Sequence, residues 1–135
     1  MAETIFEKLI AGEIPSAKVF ENDSVYAFMD AGQVNPGHVI VASKRPAETL
    51  TDLSEEETAE IFGAVRRIAG AVQDAFEPEG LTILQANKPA GWQTVPHFHV
   101  HVLPRHADDG VTLGWPRNEP GMDELKSLAE RIVVA

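Results

Sequence analysis

Pro96-His97-Phe98-His99-Val100-His101-Val102-Leu103-Pro104-Arg105 is the stretch from which the rest of the sequence can be read. Side chains on an extended strand point alternately to its two faces. A strand over His97–Leu103 therefore puts His97, His99 and His101 on one face, and Phe98, Val100 and Val102 on the other, facing a core. With 5 histidines in 135 residues, chance yields this alternation in fewer than about one chain in a hundred.

Two chemistries use imidazoles in a row. A metal needs neutral imidazoles converging on one point. Phosphoryl or nucleotidyl transfer can use one imidazole as nucleophile, with its neighbours orienting it and donating to phosphate oxygens. Same-face residues at three successive positions span about 13–14 Å, which suits a nucleophile with flanking helpers better than one zinc held by all three. Two of them with a distant residue could still chelate. An ordinary His pKa of about 6.5 lets neutral and protonated rings coexist near neutrality.

Upstream, Thr4–Ala11 reads as a short helix, with Thr4 and Glu7 as a capping box and Gly12 as the stop. Ala17–Phe20 and Val25–Asp30 read as strands around the turn Glu21-Asn22-Asp23, and Asn35-Pro36-Gly37 turns into a strand over His38–Ala42. Ser54 with Glu57 opens the longest helix. It runs to Phe76 with Ile61, Val65, Ile68 and Val72 on one face, ended by Pro78 and Gly80. Leu81–Gln85 is a further strand, joined to the histidine strand by the loop from Asn87 to Pro96. A last helix, about 122–133, carries Leu125, Leu128, Ala129 and Ile132 on one side. Three strands before the long helix and two consecutive ones after it predict an α+β fold: an antiparallel sheet of about five strands with flanking helices, in one domain over 1–135.

Composition narrows the function classes. Apolar residues make up 44%, charged residues 24%, and there is no cysteine, which excludes disulfides, a thiolate nucleophile and thiolate metal ligands. No stretch approaches the roughly 20 apolar residues of a membrane helix. Glu3, Glu7 and Glu13 near the N-terminus do not suit a signal peptide, so a cytoplasmic location is expected. A formal charge of −10 argues against nucleic acid or a membrane surface as partner. A phosphate can still be held locally by imidazoles and backbone N–H groups.

His97–Leu103 resembles the H-φ-H-φ-H-φ-φ signature of the histidine-triad (HIT) superfamily. Ile5-Phe6, Gly12-Glu13-Ile14-Pro15, Val19-Phe20-Glu21, Ala27-Phe28-Met29-Asp30 and Pro36-Gly37-His38 resemble the N-terminal half of its Hint branch in order and spacing. Asn87, Gly91 and Gln93-Thr94-Val95 resemble its second signature. The resemblance implies that His99 attacks the α-phosphorus of a purine nucleotide derivative, giving a covalent nucleotidyl-histidine that water hydrolyses. It implies that His101 bonds the phosphoryl oxygens and that His97 stands in the hydrogen-bond chain behind the nucleophile. A backbone carbonyl taking the other ring N–H of His99 would fix the reactive tautomer. Thr94 falls where Ser is frequent near the leaving group, as a proton relay or a loop residue. Asp30 would hold ribose hydroxyls, and Phe28 and Ile14 would wall the base pocket while also reading as core. His38 would lie near the phosphate. Asn87, Gln93 and Trp92 complete the implied binding set, Asn87 being equally a turn former. No metal or cofactor is implied at the nucleophile, and a homodimer paired across a strand and the long helix is implied.

Three positions depart from the pattern. Many bacterial relatives bind a structural zinc with two cysteines where this chain has Thr4 and Glu7, so zinc is not expected at that end. Trp92 stands where Gly is usual and would narrow the approach to the triad or offer a stacking face. Trp115 reads as a buried indole or as a C-terminal specificity element. A nucleotide-binding module with little turnover and a metal-dependent hydrolase remain as alternatives.

Overall fold

The computed structural model describes residues 3–135. Its elements in chain order are α1 (Ile5–Ile10), β1 (Lys18–Glu21), β2 (Val25–Met29), β3 (Val39–Ser43), α2 (Glu55–Phe76), β4 (Gly80–Gln85), β5 (His99–Arg105) and α3 (Met122–Glu130). The five strands form one antiparallel sheet in the order β1-β2-β3-β5-β4, so the histidine strand is inserted between β3 and the strand that precedes it in sequence.

Both helix starts predicted from capping boxes are present. Thr4 accepts from the Glu7 amide and Glu7 reaches back to the Thr4 amide, and Ser54 and Glu57 repeat the exchange at α2. These pairings satisfy N–H groups that a helix start leaves without partners. α2 lays Ile61, Ala64, Val65, Ile68 and Val72 on one face of the sheet, against Val25, Ala27, Val39, Val41, Phe98, Val100 and Val102. On the opposite face α1 packs Phe6 and Leu9 against Tyr26, Phe28, Ile40 and Ala42. On this second face Phe6 also covers His97 and His99, which are buried, while His101 is partly exposed. Gly37 turns the chain into β3 with φ +102, and a Cβ there would sit 2.7 Å from the Phe76 ring. The position requires glycine on both counts.

Several boundaries shift by one residue from the sequence reading, and the larger shifts are at β5 and α3. β5 begins at His99 rather than His97, because Phe98 bonds outside the ladder: its N–H donates to the Ala47 carbonyl (2.6 Å) and its C=O accepts from the Ser43 amide (3.1 Å). β5 also runs on to Arg105 through Pro104. Pairing with β3 ends at Val102, so Pro104 has a strand neighbour on one side only, where a missing N–H is tolerated. α3 stops at Glu130, without a side-chain cap and without a buried residue. Trp115 is not buried but 74% exposed, in a stretch whose residues 112–119 are all exposed. Among the described residues no helix is long and apolar enough to cross a membrane.

Candidate active site

β5 places His99 opposite Ala42 of β3, and His101 opposite Ile40 of β3 and Leu84 of β4. The two rings lie 5.1 Å apart between centroids at 71°. His99 Nδ1 is 2.6 Å from the carbonyl of His97. Only a ring N–H can make that bond, so Nδ1 carries the proton and Nε2 keeps its lone pair. His97 itself is 1% exposed. Its Nε2–H donates to the Ser43 carbonyl at 2.6 Å, which leaves Nδ1 to accept from the Thr4 hydroxyl at 3.4 Å. Phe6 of α1 packs edge-on against both rings, at 4.8 Å from His99 and 5.9 Å from His97. The triad is thus fixed through β3 on one side and through the start of α1 on the other.

A second chain of contacts sets His101. The Val34 amide donates to His38 Nδ1 at 3.4 Å, so the proton of His38 lies on Nε2. His38 Nε2 faces His101 Nδ1 at 2.9 Å and Asp30 Oδ2 at 3.5 Å. His101 Nδ1 therefore accepts, and its Nε2–H remains as a donor. Asp30 is held by the Gly32 amide, which donates to Oδ1 at 2.8 Å.

Burial lowers the pKa of all four imidazoles. Desolvation is the main cause throughout. Hydrogen bonds to the Ser43 and His97 carbonyls partly oppose it at His97 and His99, and His99 and His38 reinforce it at His101, which falls to about 4. The lowered values favour neutral imidazoles near pH 7 over the expected mixture of charged and neutral rings.

Two cavities of about 320 Å³ each meet at these residues. The first is lined by Ile5, Phe6, Leu9, Phe28, Ile40 and Val95 together with Asp30, Thr94, His99 and His101. The second shares Asp30, Thr94 and His101 but not His99, and is otherwise walled by Val34, His38, Leu84, Trp92, Leu103, Val111 and Leu113.

A protein-family model for the HIT domain matches residues 11–108. The chain belongs to the HIT family. Within it the chain sits in the Hint-like branch. It is 44% identical to Protein hit of Bacillus subtilis over 112 residues, 82% of this chain and 77% of that one. It is 33% identical to the adenosine 5′-monophosphoramidase hnt1 of Schizosaccharomyces pombe, covering 95% and 94% of the two chains. The crystal structure of a HIT family member from Bacillus subtilis superposes with a TM-score of 0.90 at 38% identity, over 99% of this chain and 100% of that one.

Within this HIT fold the residues singled out from sequence fall into three groups. His97, His99, His101, Asp30, Phe28, His38, Thr94 and Trp92 are gathered at the two cavities or directly behind them. Ile14 lies in an adjoining hollow with Ile5, Leu9 and Phe28. Asn87 and Gln93 are engaged in hydrogen bonds that tie the loop to neighbouring segments. Asn87 Oδ1 accepts from the Leu50 amide and Asn87 exchanges bonds with Gln85, while Gln93 accepts from the Lys88 amide and donates to the Glu48 carbonyl. Thr4, Phe6 and the Ser43 carbonyl belong to the site's support, and Val34, Leu84, Leu103, Val111 and Leu113 to its walls. Thr4 carries a capping box, and Phe6 and Leu103 fall in the motifs quoted above; no sequence pattern marks the others. Trp92 holds φ +78, a left-handed conformation that costs a bulky residue about 1–2 kcal/mol.

Asp30, His38 and His101 each offer a ligand atom, all within 4.8 Å of one another. Their donor chemistry fits a hydrogen-bond chain better than a metal, because ligation would displace the proton between the two rings. It would also turn a His38 N–H toward the Val34 amide. At the other end, Thr4 and Glu7 are engaged in the α1 capping box.

The depressed imidazoles predict a pH dependence of stability. Unfolded histidines protonate near the ordinary value of about 6.5, folded ones only below it. Between these values the unfolded chain binds more protons, so stability falls as pH falls. The slope is up to about 1.4 kcal/mol per pH unit for each buried imidazole. The thermal midpoint should drop steadily from pH 7 toward pH 4. A midpoint level across that range would contradict the neutral cluster.

Proposed function

We propose that this HIT protein hydrolyses a P–N or P–O bond at the α-phosphorus of a purine nucleotide derivative through a covalent intermediate on His99. The observation that carries this reading is the 2.6 Å bond from His99 Nδ1 to the His97 carbonyl, which leaves an unprotonated Nε2 on a cavity wall. Nε2 attacks phosphorus and the bond to the leaving group breaks. The Thr94 side chain lines both cavities, and its hydroxyl relays a proton from solvent to that group. Water then attacks the phosphorus, the P–N bond to His99 breaks, and the nucleoside monophosphate leaves. His101 Nε2–H serves the phosphoryl oxygens, Asp30 the ribose hydroxyls, and Phe28 with Ile40 the base. The name of the fission-yeast relative supports the substrate class. No step calls for a metal or cofactor. Ile83, exposed on the edge strand β4, supports pairing of two chains there.

The test is AMP release from adenosine 5′-phosphoramidate by the wild type and by His99→Ala, each with and without EDTA. Release that persists in EDTA and disappears in the variant is expected. Release abolished by EDTA would transfer the case to a metal-dependent hydrolase. Bound nucleotide without release from the wild type would indicate a binding module.

A further inference from the structure

We infer that Gln33 is a positioning residue for the phosphate-binding imidazole: its side chain holds His38, and His38 in turn aims His101. The inference rests on the proposed reaction, in which His101 Nε2–H serves the phosphoryl oxygens. His101 presents that N–H because its Nδ1 accepts from His38 Nε2 at 2.9 Å. His38 can donate there because its own Nδ1 accepts from the Val34 amide at 3.4 Å. The state of His101 is therefore decided in the turn between β2 and β3, residues 30–38, which also carries Asp30.

One side chain closes that turn from within. Gln33 Oε1 accepts from the amides of Gly37 (2.8 Å) and His38 (3.2 Å), and its Nε2 donates to the carbonyls of Asp30 (2.6 Å) and His38 (2.7 Å). Two amides and two carbonyls allow one orientation of the Gln33 side chain, and they fill its hydrogen-bonding capacity. Both backbone groups of His38 thus end on the same side chain. The Asp30 amide adds a second donor to the His38 carbonyl, at 3.0 Å.

Apolar packing does little to fix the turn, since Ala31, Gly32, Val34 and Pro36 are exposed while His38 is 3% exposed. Asn35 ties the outside of the turn to the Pro104 carbonyl (2.8 Å) and to Asp109 (3.0 Å). Those bonds hold the turn as a body and leave the direction of His38 to Gln33. No side chain of similar length supplies the same chemistry. An ionised Glu offers acceptors only and would face two carbonyls, and Met has neither donor nor strong acceptor.

The experiment measures kcat for AMP release from adenosine 5′-phosphoramidate, per folded molecule and well below each thermal midpoint. It compares the wild type with Gln33→Met, Gln33→Glu, His38→Ala, and Gln33→Met combined with His38→Ala. Each single change at Gln33 should cost about ten- to a hundredfold, the scale of misplacing a group by about 1 Å. In the His38→Ala background Gln33→Met should cost less than about threefold more, because the residue it acts through is gone. Histidine titration followed by NMR adds a readout that needs no turnover. The titratable groups facing His38 and His101 are Asp30 and His99. Burial keeps His38 and His101 below the ordinary value in the wild type. In Gln33→Met both should rise toward about 6.5 as water reaches them. His97 and His99, tied to the Ser43 and His97 carbonyls, should stay where they are. Undiminished kcat in both Gln33 variants, an equal loss from Gln33→Met in the two backgrounds, or His38 and His101 titrating as in the wild type would overturn the assignment. A wild type that releases no AMP would instead sink the underlying reaction, and the titration would then decide the positioning alone.

Discussion

Replacing His99 by Asn is expected to lower kcat by about four to six orders of magnitude, as loss of a nucleophile does in other covalent enzymes, with the fold intact and nucleotide still bound. The side-chain amide of Asn can place its N–H near the position of His99 Nδ1, so the His97 carbonyl that now accepts at 2.6 Å keeps a donor. What disappears is the lone pair on Nε2, with nothing to take its place. His101 does not substitute for it, because its Nδ1 already accepts from His38 and its Nε2 carries the proton. His99→Ala is the harsher change, since it also strips a buried carbonyl of its partner, a loss of about 1–3 kcal/mol. The two variants should therefore share the kinetic defect and differ in thermal midpoint. Rapid acid quenching of the wild type should trap a nucleotide on His99, detectable by mass spectrometry of the digested protein, and neither variant should show it. An Asn variant turning over near the wild-type rate would end the covalent reading.

How much of this was legible in the sequence depended on the distance over which each feature is decided. Thr4 with Glu7 and Ser54 with Glu57 are pairs three residues apart, and both helices start where those pairs predict. The apolar alternation Phe98, Val100, Val102 and the helical spacing Ile61, Val65, Ile68, Val72 are also local, and the two sets meet in one cluster. The start of β5 was misplaced because it is set by Ala47 and Ser43, some fifty residues upstream, whose backbone groups occupy those of Phe98. The protonation states escape the sequence for a related reason: the type of a histidine is local, but its burial is set by the packed fold, and the neighbouring histidines that lower its pKa further are brought beside it by that fold. Trp115 and the apolar side of α3 (Leu125, Leu128) are exposed in the structure, since composition records what could be buried and not whether anything lies over it. The second cavity draws its ten lining residues from five separate segments, so no single motif encodes it.

Phe98→Ala should be the most damaging single change to the core, and it should damage the site at the same time. The ring is 0% exposed and belongs to the cluster that joins α2 to the sheet, with Phe62 edge-on at 6.4 Å. Truncating a buried phenylalanine costs about 3–5 kcal/mol, a large share of the roughly 5–15 kcal/mol that holds a domain folded. For a chain of this size the thermal midpoint should fall by roughly 10–20 °C. Phe98 also stands between His97 and His99, and its two backbone bonds, to Ala47 and Ser43, aim both rings. A displacement of about 1 Å at the nucleophile can cost on the order of a hundredfold in rate. Ile61→Ala makes the informative comparison. Ile61 is equally buried, in the same cluster, but on α2 across the sheet from the histidines. Its loss should lower the midpoint by a similar order and leave the rate per folded molecule close to that of the wild type. Phe98→Ala, assayed well below its own midpoint, should lose rate as well. If the two variants retain the same rate per folded molecule, the strand's core face stabilises the fold without aiming the triad.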